Sequence, residues 1–314
     1  MMNIATIALT IIFSILSNFP SGAATVAPDK NGDAALQAMI QETVGKFAQL
    51  NYAEGELSLP CNLFLPEGYP GTAKYPLVVF IADGGTVGRE TDAPLRQGYG
   101  GIIWAAASEQ AKRKCIVLVP QYPQRIVDDR TGVTAAAYIS MTENLIRAVI
   151  DGFQVDANRV YATGQSMGCM ALMIMAEKRP DLFAAELFVA GQGNLKDIEG
   201  LRRQRFFYVT AEGDERAAAA QSRLIRRFQA EGIPISRTHE WDARMSQEEF
   251  ANAIRIILSG RPTANFARFI RGTVLPEGAP ASTSEHTCSF DAAYKVDALR
   301  DWLFTQGRKD KPTN

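Results

Sequence analysis

Ser166 lies in Gly164-Gln165-Ser166-Met167-Gly168, the Gly-x-Ser-x-Gly spacing that presents a nucleophilic hydroxyl on the turn between a strand and a helix. The flanks fit that geometry. Residues 158–163 (Asn-Arg-Val-Tyr-Ala-Thr) read as a short strand, and 169–178 read as an apolar helix stopped by Pro180. Glycine on both sides lets the backbone turn tightly against its neighbours. A serine hydroxyl attacks poorly unless a base takes its proton, and the usual base is a histidine held in the right tautomer by a carboxylate. The chain has two histidines, His239 and His286, so the candidates for the base are few.

The order nucleophile, acid, histidine expects a carboxylate just past a later strand and the histidine near the end. Asp214 meets the first requirement. It follows the strand-like run 205–210 and a Gly213 turn, with Glu212 and Glu215 as rivals in the same loop. Asp214 also stands where a helix N-cap would, a role that competes for the same side chain. His286, in Ser284-Glu-His-Thr-Cys-Ser-Phe290, precedes the last helical stretch and is favoured as base. His239, at the end of a strand, is left to packing or to the substrate cleft. Acyl transfer also needs donors aimed at the developing oxyanion. The backbone N–H of Met167 is one candidate. Gly84 or Gly85, in the loop after the first long strand, supplies the other, with Gly84 preferred. Gln165 and Asp83 flank the nucleophile and that loop and are the candidate substrate-binding side chains. The mechanism requires no cofactor, and no Cys-x-x-Cys or His-rich spacing suggests a metal site.

These residues need a scaffold, and the hydrophobic pattern supplies one. Apolar strands are expected over 76–82, 115–120, 159–163, 184–189, 206–210 and 233–238. Helices are expected over 102–112, 134–151, 167–178, 216–231 and 247–259. This alternation argues an α/β fold, a mostly parallel sheet with helices on both faces. Ahead of it, 33–50 reads as an amphipathic helix within an N-terminal helical extension (25–54), and 54–65 as hairpin-type strand. Residues 260–285 break the rhythm and read as an insertion loop before His286, facing the substrate. A closing helix is expected over 291–306.

With 314 residues and 46% apolar content the chain can bury the core of one large domain. Basic and acidic residues nearly cancel, 33 against 34, which gives no reason to expect nucleic acid as a partner. The first 24 residues read as a signal peptide. Residues 4–16 are an apolar core, followed by small residues with Ala23, Ala24 and Ala27 as cleavage points, although no Lys or Arg precedes the apolar run. The expected location is therefore secreted or periplasmic, with no stable membrane span in the mature protein. Export would permit disulfides among Cys61, Cys115, Cys169 and Cys288, yet Cys115 and Cys169 lie in apolar elements where buried thiols fit equally well.

Residues 74–81 (Lys-Tyr-Pro-Leu-Val-Val-Phe-Ile), 158–168 and 179–184 (Arg-Pro-Asp-Leu-Phe-Ala) resemble the α/β-hydrolases of the secreted esterase and predicted-peptidase group, which includes polyhydroxybutyrate depolymerase-like and feruloyl-esterase-like proteins. The tail is similar too: His286 is followed by an aromatic, a tyrosine and Asp301-Trp-Leu-Phe-Thr-Gln306. The resemblance covers 55–308 and implies an α/β-hydrolase domain there, with Ser166 as nucleophile, Asp214 as acid and His286 as base. Two features depart from the group. Ala82-Asp83 stands where most relatives have His-Gly, and an inward-pointing Asp83 carboxylate would oppose charge on the oxyanion. The segment before His286 is also longer than usual. The expected activity is hydrolysis of small-molecule or polymer-linked carboxylic esters. The alternatives are a serine peptidase of small peptides, since the same constellation cleaves amides, and a non-catalytic binding protein with the same fold.

Overall fold

The computed structural model describes residues 30–308 apart from 194, 196 and 281. The apolar N-terminal segment behind the export expectation lies outside them. The strands are β1 (Ala48–Glu54), β2 (Leu57–Phe64), β3 (Tyr75–Ile81), β4 (Ile116–Pro120), β5 (Val127–Asp128), β6 (Val133–Thr134), β7 (Val155–Gln165), β8 (Ala185–Val189), β9 (Phe206–Ala211), β10 (Ile235–Trp241) and β11 (Ala264–Phe269). The helices are α1 (Ala34–Thr43), α2 (Ala93–Arg96), α3 (Tyr99–Ile102), α4 (Ala107–Lys112), α5 (Ala136–Gly152), α6 (Met167–Lys178), α7 (Glu215–Ala230), α8 (Gln247–Ile257), α9 (Glu285–Lys295) and α10 (Asp297–Phe304). Nine strands form one sheet in the order β1-β2-β4-β3-β7-β8-β9-β11-β10; β5 and β6 make a small separate hairpin. β1 and β2 run antiparallel to their neighbours, and every pairing from β4 to β10 is parallel.

Alternation along β3 shows how the sheet is buried on both faces. Val78 and Phe80 point into a core shared with α1, α3, α8, α9 and α10. Leu77, Val79 and Ile81 point into the opposite core, with α5, α6 and α7. Successive side chains face opposite sides of a strand, so a strand covered on both faces must be apolar throughout. Each parallel strand thereby ends at the same edge of the sheet, where the loops that carry chemistry collect.

Four segments differ from the sequence expectation. The first helix stops at Thr43, and 48–54 is the edge strand β1, turned into β2 through Gly55 at φ +58°. β1 is mostly exposed, so it carries no burial period to mark it. The described part of the 25–54 segment, from Lys30 on, holds a strand as well as a helix: α1 buries Leu36 and Ile40 in the core, and β1 completes the sheet. The helix expected over 102–112 is broken. A tight 3-10 turn, Ile103–Ala105, separates α3 from α4, and buried Trp104 donates its indole N–H to Gly100 O (2.9 Å). Residues 260–285 are not all loop, because 264–269 form β11, inserted between β9 and β10. Asn265 and Arg268 disguise this strand. Asn265 is buried and its Nδ2 donates to Phe206 O (3.1 Å), while Arg268 donates to Gln221 Oε1 (2.8 Å), so the donors of both side chains find partners inside the fold. Finally, the closing helix is two helices, α9 and α10, broken at Val296, and α9 begins early enough to hold His286 in its first turn.

Candidate active site

β7 delivers Ser166 to the sheet's carboxyl edge. The serine adopts φ 50° and ψ −112°, a conformation that L-residues other than glycine rarely take, and α6 starts at the next residue. Its amide donates to Val189 O of β8 (3.0 Å). The flanking glycines are needed for close approach. A Cβ at Gly168 would overlap Ile81 O at the end of β3, and one at Gly164 would stand 2.8 Å from the Gly168 carbonyl carbon. The turn is thus wedged against β3, and only hydrogen fits at either position.

β9 and α7 position Asp214. Asp214 sits between β9 and α7 and is 5% exposed. Its two oxygens divide the roles that the sequence set in competition. Oδ1 accepts the Ala217 N–H (3.1 Å) as the N-cap of α7, and Oδ2 accepts from His286 Nδ1. With the proton on Nδ1 facing the carboxylate, Nε2 is the acceptor, and it lies 2.9 Å from Ser166 Oγ. The three residues expected to act together are brought together. The rivals are not. Glu212 receives the Arg271 amide, Glu215 is exposed, and His239 lies exposed on the edge strand β10 with no bond to Ser166 or Asp214.

His286 is held by its own helix. Ser289 Oγ donates to its carbonyl (2.8 Å), and the Phe290 ring packs edge-on against the imidazole at 4.9 Å between centroids. Glu285 pins the start of α9 to two loops, accepting the Gly213 N–H at Oε2 (3.0 Å) and the Gly272 N–H at Oε1 (2.9 Å). The residue before the histidine thereby fixes the residue before the aspartate. Sequence reasoning missed Gln192, just past β8. Its Nε2 lies 3.2 Å from His286 Nδ1 and 3.4 Å from Asp214 Oδ1. Nδ1 already donates to Asp214, so the Gln192 amide acts as a donor toward the carboxylate. The signal available was its place at the carboxyl end of the strand beside the nucleophile's.

The loop after β3 closes the other side. Asp83 Oδ1 accepts the Gly85 N–H (2.5 Å), and Oδ2 accepts from Gln97 Nε2 (2.6 Å) and Gln165 Nε2 (3.2 Å). Gln165 is 2% exposed and also donates to Gln97 Oε1 (3.0 Å). The geometry therefore gives Gln165 and Asp83 a holding role: three N–H donors take up the carboxylate's charge, and both side chains fasten the loop to the nucleophile's strand. The amides of Met167 and Gly84 donate to no acceptor among the described residues, so both N–H groups are available. Among those residues no group of three or more His, Cys, Asp or Glu side chains is arranged to hold a metal ion.

The parallel sheet with its antiparallel start, and the serine on a left-handed elbow between β7 and α6, define an α/β-hydrolase. Residues 56–248 match the model of the Esterase family, described as "Putative esterase", and the chain belongs to that family. Solved structures share the fold. A thermostable esterase superposes with a TM-score of 0.62 at 22% identity, over 85% of this chain and 64% of its own, so the present chain spans under two thirds of that protein. The feruloyl esterase module from Clostridium thermocellum, an S954A mutant complexed with sinapinate, gives 0.54 at 16% identity over 82% of this chain and 87% of its own. A ferulic acid esterase gives 0.52 at 12% identity, over 83% and 98%. No curated protein matches in sequence.

Proposed function

We propose that the protein is a serine hydrolase that cleaves carboxylic esters through an acyl-enzyme and that it works outside the cytoplasm after export. Ser166 Oγ attacks the ester carbonyl while His286 Nε2 takes its proton. Asp214 orients the imidazole and stabilises the imidazolium. The Met167 and Gly84 amides receive the negative charge on the carbonyl oxygen. His286 then gives its proton to the departing alcohol. In the second half, water deprotonated by His286 attacks the acyl-enzyme and releases the acid.

The observation that carries this reading is the unbroken line from Ser166 through His286 to Asp214, suspended from a serine in a conformation that sequence alone would disfavour. Membership of the Esterase family supports an ester carbonyl as the target. Export is supported by the apolar run 4–16 and the small residues after it.

Labelling with a fluorophosphonate probe tests the chemistry. The wild type should label covalently, and both Ser166→Ala and His286→Ala should abolish labelling. Turnover of a p-nitrophenyl ester should fall on the order of 10⁶-fold in kcat for Ser166→Ala. An unlabelled wild type would sink the assignment, and labelling that survives His286→Ala would move the base elsewhere. Export is tested by fractionating cells and sequencing the mature N-terminus. A start after Ala23, Ala24 or Ala27 supports it, whereas full-length protein confined to the cytosol refutes it.

A further inference from the structure

Gly84 has no positive φ, so its backbone does not call for glycine. The space beside it is taken by the head of Arg125. A Cβ on Gly84 would overlap guanidinium Nη1 and stand 2.8 Å from Cζ and 3.2 Å from Nη2. The arginine head thus lies flat against the loop whose amide is available beside the nucleophile.

The base of this arginine is fixed from three directions. On its N-terminal side, Gln121 Nε2 donates to Thr86 O (2.6 Å) and Arg89 O (3.1 Å), and the Gly88 N–H donates to Tyr122 O (2.9 Å), binding the segment after β4 to the loop after β3. On its C-terminal side, Ile126 and Val127 are buried in the same core as Met167, Cys169 and Met170 of α6. Further along, Asp129 pairs with Arg216 in the first turn of α7, next to Asp214. These ties hold the backbone on either side of Arg125.

The guanidinium itself is unpaired. Arg125 is exposed and makes no hydrogen bond or ion pair among the described residues. The nearest acid in the loop, Asp83, is taken up by Gly85, Gln97 and Gln165. A guanidinium presents a planar fork of donors that matches a carboxylate. Placed over Gly84 with its donors unused, it can meet an anion at that loop.

Building on the esterase reading above, we propose that Arg125 recognises a carboxylate on the substrate and that the preferred esters are anionic near the scissile bond. The carboxylate could belong to the acyl part, as in a half-ester of a dicarboxylic acid, or to the alcohol part, as in an acylated hydroxy acid. Both present the same anion to the same fork.

The test compares charged and neutral esters of like size. For the acyl side these are p-nitrophenyl hydrogen glutarate and p-nitrophenyl pentanoate. For the alcohol side they are acetoxyacetate and ethyl acetate. The wild type should favour the anionic member of at least one pair in kcat/KM, and the favoured pair identifies the side. In Arg125→Gln that preference should shrink about tenfold, the scale of one charge-assisted pair partly open to water, and Arg125→Lys should restore part of it. Arg255→Gln on α8 removes the same charge far from the loop and should leave the preference intact. A wild type with no preference, or a preference untouched by Arg125→Gln, overturns the proposal. So does an equal loss in Arg255→Gln, which would make it a general field effect. Calorimetric titration with glutarate separates this from failure of the esterase reading. If no ester turns over, glutarate binding that weakens in Arg125→Gln still upholds the anion site, and absence of glutarate binding overturns it.

Discussion

Asp214 serves two elements with one side chain, and its two oxygens make the roles separable. Oδ1 caps α7 and Oδ2 holds His286. Asparagine is as good an N-cap as aspartate, so Asp214→Asn keeps the cap, but it offers the imidazole an amide in place of a carboxylate. The histidine then loses both its tautomer and the charge that stabilises the imidazolium. Asp214→Asn should therefore lower kcat by about 10²–10⁴-fold with a melting temperature close to wild type, whereas Asp214→Ala should lower both, the cap alone being worth about 1 kcal/mol. Steady-state kinetics beside thermal unfolding of the two variants checks this; an Asn variant as unstable as the Ala variant would refute the division of roles. At this scale the sequence was legible wherever chemistry admits few residue types. Only two histidines could be the base, and three carboxylates, Glu212, Asp214 and Glu215, stood between strand and helix. Gln192 was not legible, because an amide has no comparable restriction. Nor was the direction of Asp83, which depends on Gln97 in a separate helix-bearing segment.

Between elements, Glu285 is the fastening that turns three loops into one site. It accepts amides from the β9–α7 loop and from the turn after β11 while starting the helix that bears His286. Gly213 is glycine for this reason: a Cβ there would overlap the Glu285 carboxylate. Gly213→Ala and Glu285→Ala should thus injure the same device. On the proposed mechanism each should reduce kcat about tenfold with little change in KM, because the misplacement affects His286 and Asp214 and not the substrate's other contacts. The double variant should be no worse than the poorer single one, since residues sharing one interaction are not additive. Additive losses would show that the two positions act separately. The clamp also explains why the elements around it were hard to read. β11 supplies the turn that Glu285 grips, yet Asn265 and Arg268 interrupt its apolar run, their donors being taken up by Phe206 O and Gln221 Oε1. The start of α9 was hidden likewise, since Ser284-Glu285-His286 has the composition of a loop, while the structure starts the helix at Glu285, which is bonded to distant amides. Long, buried strands such as β3 and β8 carried their own signal, because covering both faces leaves only apolar residues.

Across the whole molecule, two apolar cores are accompanied by a seam of charged side chains. The four cysteines belong to the cores. All are buried free thiols, and burial pushes Cys61 up to about 12 and Cys288 up to about 11. Ellman's reagent should accordingly leave native protein unlabelled, react with four thiols after unfolding in guanidinium, and reductant should leave the melting temperature unchanged. A reductant-sensitive melting temperature would contradict the free-thiol assignment. The seam joins α4 to α10. Asp297 takes Lys112 Nζ (2.9 Å) on one oxygen and Arg113 Nη2 (2.8 Å) and Arg300 Nη2 (2.9 Å) on the other. Burial alone would raise its pKa, but the bonds from Lys112 and Arg113 and the charges of Arg113 and Arg300 outweigh it and hold the carboxyl at about 2. A carboxyl depressed in the folded state stabilises the fold above its unfolded pKa of about 4 and loses that contribution as pH falls toward the folded value. Asp297→Asn should therefore cost on the order of 2 kcal/mol near neutral pH, read from urea unfolding. That difference should shrink steadily below about pH 4 and vanish only below about pH 2, where the wild-type carboxyl is itself protonated. A gap between variant and wild type that stays constant with pH would mean that Asp297 acts by shape at the start of α10 and not by charge.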